Sequence, residues 1–227
     1  PCVTKHAANG QILPRAFNGA SVLIATGWPN LVTSLPDDIY TDIPAQLLRD
    51  RDGYFLLAAT CLPDGVSYST CVARYRPDGT QDTAYGTGGI AKFSVGVGGD
   101  TIFRSARMQQ DGKVLLVSGY SGTSGSTRVT RLLADGAPDT TFGLAGTSAY
   151  GAITSADSFE AARGGLTSSG ALVVGGTCWP QSSGITRVCA MKIHGGPYPG
   201  RYCTLNVDGN LVLEPATDAF AALRYLL

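Results

Sequence analysis

The chain has 227 residues, and its 17 Lys and Arg balance its 17 Asp and Glu, so the formal net charge is zero. This balance argues against a nucleic-acid-binding protein, which normally carries a basic excess. Charged residues make up 15% of the chain and hydrophobic residues 44%, a composition that excludes a disordered tail and a coiled coil. The 30 glycines are about double the average share and predict many tight turns.

The N-terminus and the cysteines predict an exported protein. The chain begins Pro1-Cys2, which we interpret as a mature end left by removal of an export signal. It holds 6 cysteines and no CxxC pair, so a zinc site or a thioredoxin-type site is disfavoured. No run of about 18 apolar residues predicts a membrane span. The alternative is a cytosolic protein with six thiols, but an even cysteine count favours disulfides in the periplasm, on the cell surface or in the medium.

The cysteine spacings suggest three disulfides. Cys61 and Cys71 bracket one polar, turn-forming segment, and Cys178 and Cys189 bracket another. Two strands joined by such a turn would place their cysteines opposite each other, with Cα atoms about 4.5–5.5 Å apart. By elimination Cys2 pairs with Cys203, which would join the start of the chain to its end.

A turn followed by an apolar run recurs along the chain and predicts a strand in each copy. The copies open with Asp52-Gly53, Asp111-Gly112, Ser169-Gly170 and Asp208-Gly209. The first three are spaced by about 58 residues, and such a fixed period is the signature of a repeat architecture. Asp-Gly favours hairpins because both positions tolerate positive φ.

A short strand with one basic residue follows each of these runs, and a further copy opens the chain. The basic residues are Lys5, Arg74, Arg131, Lys192 and Arg224. We expect each side chain to cover an apolar face with its stem and to meet the aspartate four residues on, as in Asp78 and Asp135. Those turns also carry Asp82 and Asp139, but two carboxylates are too few oxygens for calcium, so a capping role is favoured.

Extended segments that begin with an acidic residue precede the apolar runs at 42–47, 100–106 and 157–162, and 201–205 stands in for the fourth. In a ring of sheets, their first residues would meet on one rim. We therefore predict that Asp42, Asp100 and Asp157 line a ligand-binding funnel, with strand capping as the alternative. Trp28 and Trp179 each precede a proline and either belong to the same binding surface or cover the edge of a sheet.

The period predicts a single domain over residues 1–227 with four units. They span approximately 10–78, 79–135, 136–196, and 197–227 together with 1–9. Each unit has room for four short strands, and such a sheet must stack on its copies to bury both faces. We expect an all-β, four-bladed β-propeller closed by the N- and C-terminal strands and stabilised by disulfides. An open solenoid and a two-sheet sandwich are the alternatives.

Two segments carry a family resemblance. Arg131-Leu132-Leu133-Ala134-Asp135-Gly136-Ala137-Pro138-Asp139-Thr140-Thr141-Phe142-Gly143 and Met108-Gln109-Gln110-Asp111-Gly112-Lys113-Val114-Leu115-Leu116-Val117-Ser118-Gly119 resemble the delta-60 repeat of bacterial surface and secreted proteins. That resemblance implies a β-propeller fold and an exported location. It brings no catalytic motif to this chain.

The sequence supplies no catalytic motif and predicts no cofactor or metal site. His6 and His194 are its 2 histidines, and H-E-x-x-H, P-loop and Rossmann patterns are absent. We favour a secreted or surface-associated, non-catalytic module that binds a protein partner or belongs to a larger assembly. One alternative is a carbohydrate-binding propeller that uses both tryptophans, tyrosines and the rim aspartates. Another is a lyase or hydrolase that uses paired carboxylates among those aspartates.

Overall fold

The protein is built from antiparallel β-sheets, as predicted. The computed structural model describes residues 2–14, 22–24, 28, 45–94, 99–120, 126–150, 157–168, 170–180 and 186–193. Within these ranges every regular element is a strand. The described residues contain no helix long and apolar enough to cross a membrane.

The strands form three successive meanders and one short ribbon. Sheet 1 contains β3 (Gln46–Arg49), β4 (Phe55–Cys61), β5 (Ser69–Tyr75) and β6 (Ile90–Phe93). Sheet 2 contains β7 (Thr101–Met108), β8 (Val114–Tyr120), β9 (Ser126–Leu132) and β10 (Thr147–Tyr150). Sheet 3 contains β11 (Asp157–Leu166), β12 (Leu172–Pro180) and β13 (Arg187–Ile193). The N-terminal ribbon contains β1 (Cys2–Thr4) and β2 (Val22–Ile24).

The first three predicted apolar runs are the second strands of sheets 1 to 3, and in β4 and β8 both faces are buried. The fourth run, after Asp208-Gly209, lies outside the described residues. In β8, Val114 and Leu116 pack against sheet 1, whereas Leu115 and Val117 pack against sheet 3. Successive side chains of a strand point to opposite faces, so a continuous apolar run is what a sheet covered on both sides requires. The three sheets therefore stack face to face in chain order.

The chain order also defines an inner and an outer side of the stack. The first strands β3, β7 and β11 are edge strands of their sheets, and β7 contacts both of the others. We call this side the inner edge. The fourth strands β6 and β10 form the opposite, outer edge. Such a radial arrangement, with first strands inside and fourth strands outside, is that of propeller blades.

Side chains of neighbouring sheets accept hydrogen bonds from backbone amides of the inner edge. The amide of Phe103 donates to Thr60 Oγ1 at 3.0 Å, and the amide of Ala106 donates to Gln46 Oε1 at 2.9 Å. One sheet further on, Thr127 Oγ1 accepts from the amide of Ala161 at 3.0 Å. An unpaired strand edge is a template for aggregation, and these contacts block it while they join each sheet to the next.

Two of the three predicted disulfides are present. Cys61 bonds to Cys71 and Cys178 to Cys189, with Cα separations of 5.9 and 6.0 Å. The expectation that each pair lies directly opposite in the ladder is wrong, because Cys71 faces Ala59 and Cys61 faces Ser69. The bridges thus connect diagonal positions across a hairpin. We call the end of the stack that carries both of them the disulfide end.

The N-terminal strand lies in the ribbon, where Val3 pairs with Leu23. Its predicted partner in the last unit, residues 197–227, and the predicted Cys2–Cys203 bridge lie outside the described residues. Closure by the two chain ends and the number of four blades therefore stay predictions. The predicted unit boundaries at 78/79 and 135/136 fall between the third and fourth strands of sheets 1 and 2.

Candidate functional site

Sheets 1 and 2 each carry a corner in which the repeated arginine contacts an aspartate. In sheet 2, Arg131 Nε donates to Asp139 Oδ2 at 2.8 Å, and both side chains are only 4% exposed. In sheet 1, Arg74 Nε donates to Asp82 Oδ2 at 2.7 Å. The carboxylate in contact is eight residues after the arginine, so the predicted partner four residues on is wrong.

The backbone explains the longer spacing. After β5 the chain turns and comes back along its own path, because Tyr75 forms a bridge with Gln81 and the amide of Asp82 donates to the carbonyl of Arg74 at 2.9 Å. Asp78 sits at the tip of this turn, where its Oδ1 accepts from the amide of Thr80 at 2.8 Å. Asp78 therefore caps the turn, and the second aspartate reaches the guanidinium.

An aromatic ring completes each corner. The Arg131 Cζ lies 4.8 Å from the centroid of the Phe142 ring, and the Arg74 Cζ lies 4.8 Å from that of Tyr85. A guanidinium above a ring gains from the negative face of the π-system, and more so when both groups are buried. The spacing of arginine, aspartate and aromatic residue in the repeat thus encodes one compact unit.

The corner of sheet 1 docks on the Asp-Gly turn of sheet 2. The amide of Gly86 donates to the carbonyl of Asp135 at 2.8 Å, and Arg74 Nη1 donates to the carbonyl of Ala134 at 2.5 Å. A Cβ at Gly136 would lie 2.8–2.9 Å from the ring atoms of Tyr85. The ring therefore needs a glycine in the next sheet, and this contact links one repeat to the following one.

The environment of Asp139 stabilises its charged form. Burial raises its pKa, but hydrogen bonds from the hydroxyl and amide of Thr141, together with the charges of Arg131 and Lys113, outweigh burial and lower the pKa to about 2. Thr141 Oγ1 lies 2.6 Å from Asp139 Oδ1, and Lys113 Nζ lies 3.3 Å from Oδ2. Hydrogen bonds to a carboxylate and nearby cations both favour ionisation. The ionised form of Asp139 therefore stabilises the corner of sheet 2.

A groove opens between sheets 1 and 2 on the outer side, with a volume of about 820 Å³. One wall is formed by the consecutive residues 90–94, which include β6, and the other by 135–138 and by residues from 144 to 147. Neighbouring residues of a strand point to alternate faces, so a wall of consecutive residues presents the edge of β6. Exposed Lys92, Asp135 and Leu144 line the groove, Leu144 with 87% exposure.

Sequence reasoning missed this groove because its two walls come from different repeats. A signal does exist in the glycines of Gly86-Thr87-Gly88-Gly89 and Gly143-Leu144-Ala145-Gly146. Each segment makes the turn that leads into a fourth strand, as the bridges Thr87–Ile90 and Leu144–Thr147 show. These segments locate the outer edge of each sheet.

The two predicted ligand-binding tryptophans occupy different environments. Trp28 packs on the face of sheet 1 that points away from sheet 2, and its Nε1 donates to Tyr75 Oη at 3.1 Å. Trp179 lies near the disulfide end of sheet 3 and is 38% exposed. Of the two, Trp179 offers the ring surface that a ligand could reach.

Among the predicted rim aspartates, Asp100 is the one whose side chain the structure describes. Its Oδ1 accepts from the amide of Tyr68 at 2.9 Å, which ties the start of β7 to the hairpin turn of sheet 1. Asp42 lies outside the described residues, and for Asp157 the backbone alone is described, paired with Pro180. The register makes Phe159 equivalent to Thr101, because they pair with Cys178 and Tyr120. Asp157 is thus displaced by one position from Asp100, and their convergence stays a prediction.

The described residues bring no three His, Cys, Asp or Glu side chains close enough to hold a metal ion. His6 contacts Thr4 Oγ1 and the carbonyl of Gly10 within its own turn, both at 2.9 Å. His194 lies outside the described residues.

Comparison with protein families gives a short match. Residues 109–142 match the family described as "Domain of unknown function (DUF5122) beta-propeller". This segment contains β8, β9 and the whole corner of Arg131, Asp139 and Phe142. The match supports a β-propeller repeat, in agreement with the stacked meanders. The segment is less than half of the chain, and the name delta-60 is not tested by it.

Other comparisons add little. No curated protein matches the chain. A solved structure, of a fucose lectin from Kordia zhangzhouensis in complex with methyl-fucoside, is similar at 13% identity over 71% of this chain and 100% of that chain, with a TM-score of 0.38. A TM-score below 0.5 is too low to carry over a fold or a ligand.

We expect Gly136→Ala to destabilise the protein by more than Gly112→Ala. Both glycines have positive φ, at 87° and 83°, so both substitutions carry the same backbone strain. A Cβ at position 112 would lie 3.8 Å from the Ala134 side chain, whereas at 136 it would collide with the Tyr85 ring. We expect an additional loss of about 1–3 kcal/mol in the free energy of unfolding, the usual cost of overpacking, measured by urea denaturation. Equal losses would contradict the docking of the ring on this turn.

The cost of Asp139→Asn should depend on pH. The pKa of Asp139 is about 2 in the folded protein and about 3.9 in an unfolded chain. Its contribution to stability is therefore complete above the unfolded value and is lost as the pH falls through the folded one. We expect the difference in unfolding free energy between wild type and variant to be large at pH 6 and to shrink from about pH 4 towards pH 2.

The control for this titration is Asp52→Asn, a change of the same kind in an exposed turn. Its effect should be small throughout. An effect of Asp139→Asn that stays constant from pH 6 to pH 2 would contradict the role of its ionised form.

Proposed function

We propose that the chain is a secreted or surface-associated, non-catalytic β-propeller module that binds a protein partner, as an accessory part of a larger assembly. The observation that carries this proposal is the outer groove, with a volume of about 820 Å³. Its walls include the exposed Leu144 and the outer edge of β6, which no strand among the described residues covers beyond the Thr87–Ile90 bridge. The predicted four-unit ring, with residues 197–227 and 1–9 in the last unit, would make the module rigid.

The groove suits an extended polypeptide. A free strand edge offers backbone N–H and C=O groups, and a partner segment can pair with them as an added strand while its side chains enter pockets alongside. Leu144, Pro138 and the partly buried Phe93 provide apolar surface beside this edge. Backbone pairing would give affinity, and these side chains would select the partner's residues.

The disulfides support an exported location. Bonds such as Cys61–Cys71 and Cys178–Cys189 persist in oxidising compartments and are rare in the cytosol.

A carbohydrate-binding propeller is the second candidate, and the exposure of Trp179 favours it. Trp179 is 38% exposed, and a reachable indole can stack on a sugar ring. The residues predicted for this function are Asp42, Asp100, Asp157, Trp28 and Trp179. The lyase or hydrolase hypothesis rests on the same aspartates and stays a prediction.

We expect Leu144→Arg to abolish partner binding, because a long charged side chain would fill the groove beside β6. Immobilised protein is incubated with the cell-surface and medium fractions of the source cells, and retained proteins are identified and quantified. Val66→Arg is the matched control, since Val66 is 81% exposed and lies in the β4–β5 turn, outside the groove. A partner retained equally by both variants would refute the groove as the site, and retention of no protein would count against the function.

A glycan array, probed with and without calcium, separates the second candidate from the first. Binding that is lost in Trp179→Ala and kept in Leu144→Arg would favour the carbohydrate-binding function. An array without hits would remove it.

A further inference from the structure

The inner edge carries a cluster of arginines that the proposed function does not use. Arg104 and Arg107 belong to β7, and Arg163 belongs to the neighbouring first strand β11. Arg107 is partly buried and Arg163 is exposed. We call these three side chains, with Glu160, the inner-edge cluster.

Hydrogen bonds fix two of the guanidinium groups on one strand. Arg163 Nη1 donates to the carbonyl of Arg104 at 3.1 Å, and Arg107 Nη1 donates to the carbonyl of Ala106 at 2.7 Å. The amide of Ala106 bonds to Gln46 of sheet 1 rather than to β8, so this residue faces the inner edge. Both cationic groups therefore lie along the same inward side of β7.

The spacing of these anchors suits one small anion. The carbonyls of Arg104 and Ala106 are two residues apart on β7, beside the bulge between Phe103 and Ser105, so the two guanidinium groups are held close together along the strand. Bonds from a guanidinium to an anionic oxygen are about 2.7–2.9 Å long. A single anion that carries several oxygens can therefore accept from both groups at once, one oxygen for each.

Charge in the cluster is not balanced. Arg104 Nη2 lies 2.6 Å from Glu160 Oε1, which pairs one arginine with one carboxylate and leaves Arg107 and Arg163 as two positive charges. Among the described residues no carboxylate is within ion-pair distance of either. Burial lowers the pKa of Arg107, and the positive charge of Arg163 lowers it further.

Among the described residues, most N–H donors of these two groups have no acceptor. A guanidinium has five N–H donors, and within the described residues Arg107 and Arg163 each use Nη1 alone, the former on one carbonyl and the latter on those of Arg104 and Ala162. Planar guanidinium groups recognise carboxylate, sulfate and phosphate with two parallel bonds. The remaining N–H donors of Arg107 and Arg163 can therefore bind an oxyanion, the kind of ligand that two positive charges attract.

The geometry points to a binding site for one oxyanion between Arg107 and Arg163, at the inner edge of sheets 2 and 3. The ligand class is a sulfate, phosphate or carboxylate group, either as a free ion or carried by an acidic sugar. This site is independent of the outer groove, because it lies on the opposite side of the stacked sheets.

Calorimetric titration of the whole protein tests the site, with inorganic sulfate for the free ion, glucuronate for an acidic sugar and glucose as the uncharged control. We expect an oxyanion to bind with one site per chain and glucose not to bind. Arg107→Gln and Arg163→Gln should each weaken binding by about tenfold or more, because a charge-assisted hydrogen bond contributes about 1.5–3 kcal/mol. Arg51→Gln, in an exposed turn of sheet 1, removes the same charge and should leave affinity unchanged.

The titration also separates this site from a purely structural role. If the arginines only cap the carbonyls of β7, Arg107→Gln and Arg163→Gln will lower the melting temperature without changing the affinity for sulfate or glucuronate. That outcome, the same loss in Arg51→Gln, or no binding of either anion would overturn the proposal. Binding of glucuronate with no binding of sulfate would identify the acidic sugar as the source of the anion.

Discussion

The fold depends on an arginine–aspartate ion pair that sheets 1 and 2 each carry at the end of the third strand, fully buried in sheet 2. A charge as buried as Arg131 is costly unless it is paired and its donors are satisfied. Asp139 pairs with it, Thr141 holds the other carboxylate oxygen, and Phe142 lies beside the guanidinium. The charges and hydrogen bonds of the corner are thus satisfied together in a single arrangement of these side chains. That arrangement fixes the position of the outer half of the sheet.

The corner of sheet 1 also connects this sheet to sheet 2. Arg74 bonds to its own aspartate and also to the carbonyl of Ala134 in sheet 2, while the Tyr85 ring rests on Gly136. At the inner edge, hydroxyls such as that of Thr127 bond to the backbone of the following sheet. Two rows of contacts, one outer and one inner, therefore set the angle between neighbouring sheets and leave a groove where the outer row ends.

Local features of the fold could be read from the sequence, because turn chemistry and the strand period are local. Asp111-Gly112 predicts the start of β8, and the continuous apolar run of this strand predicts that both of its faces are buried. The cysteines on either side of each hairpin turn predict the two disulfides. Contacts between repeats could not be read in this way. The Thr60–Phe103 bond joins residues 43 apart, and the arginine meets the aspartate eight residues on because the chain folds back at Gln81. The groove and the inner-edge cluster are likewise products of stacking.

A double-mutant cycle on Arg131 and Asp139 tests the central claim most directly. Asp139→Leu leaves the buried Arg131 without its carboxylate, and Arg131→Met leaves the buried Asp139 with Lys113 as its counter-ion. Each change should cost about 3–5 kcal/mol of unfolding free energy. The double variant removes both charges, so its cost should fall far below the sum of the single costs. Losses that add to within about 0.5 kcal/mol would show that the pair does not organise the corner, and the account would fail.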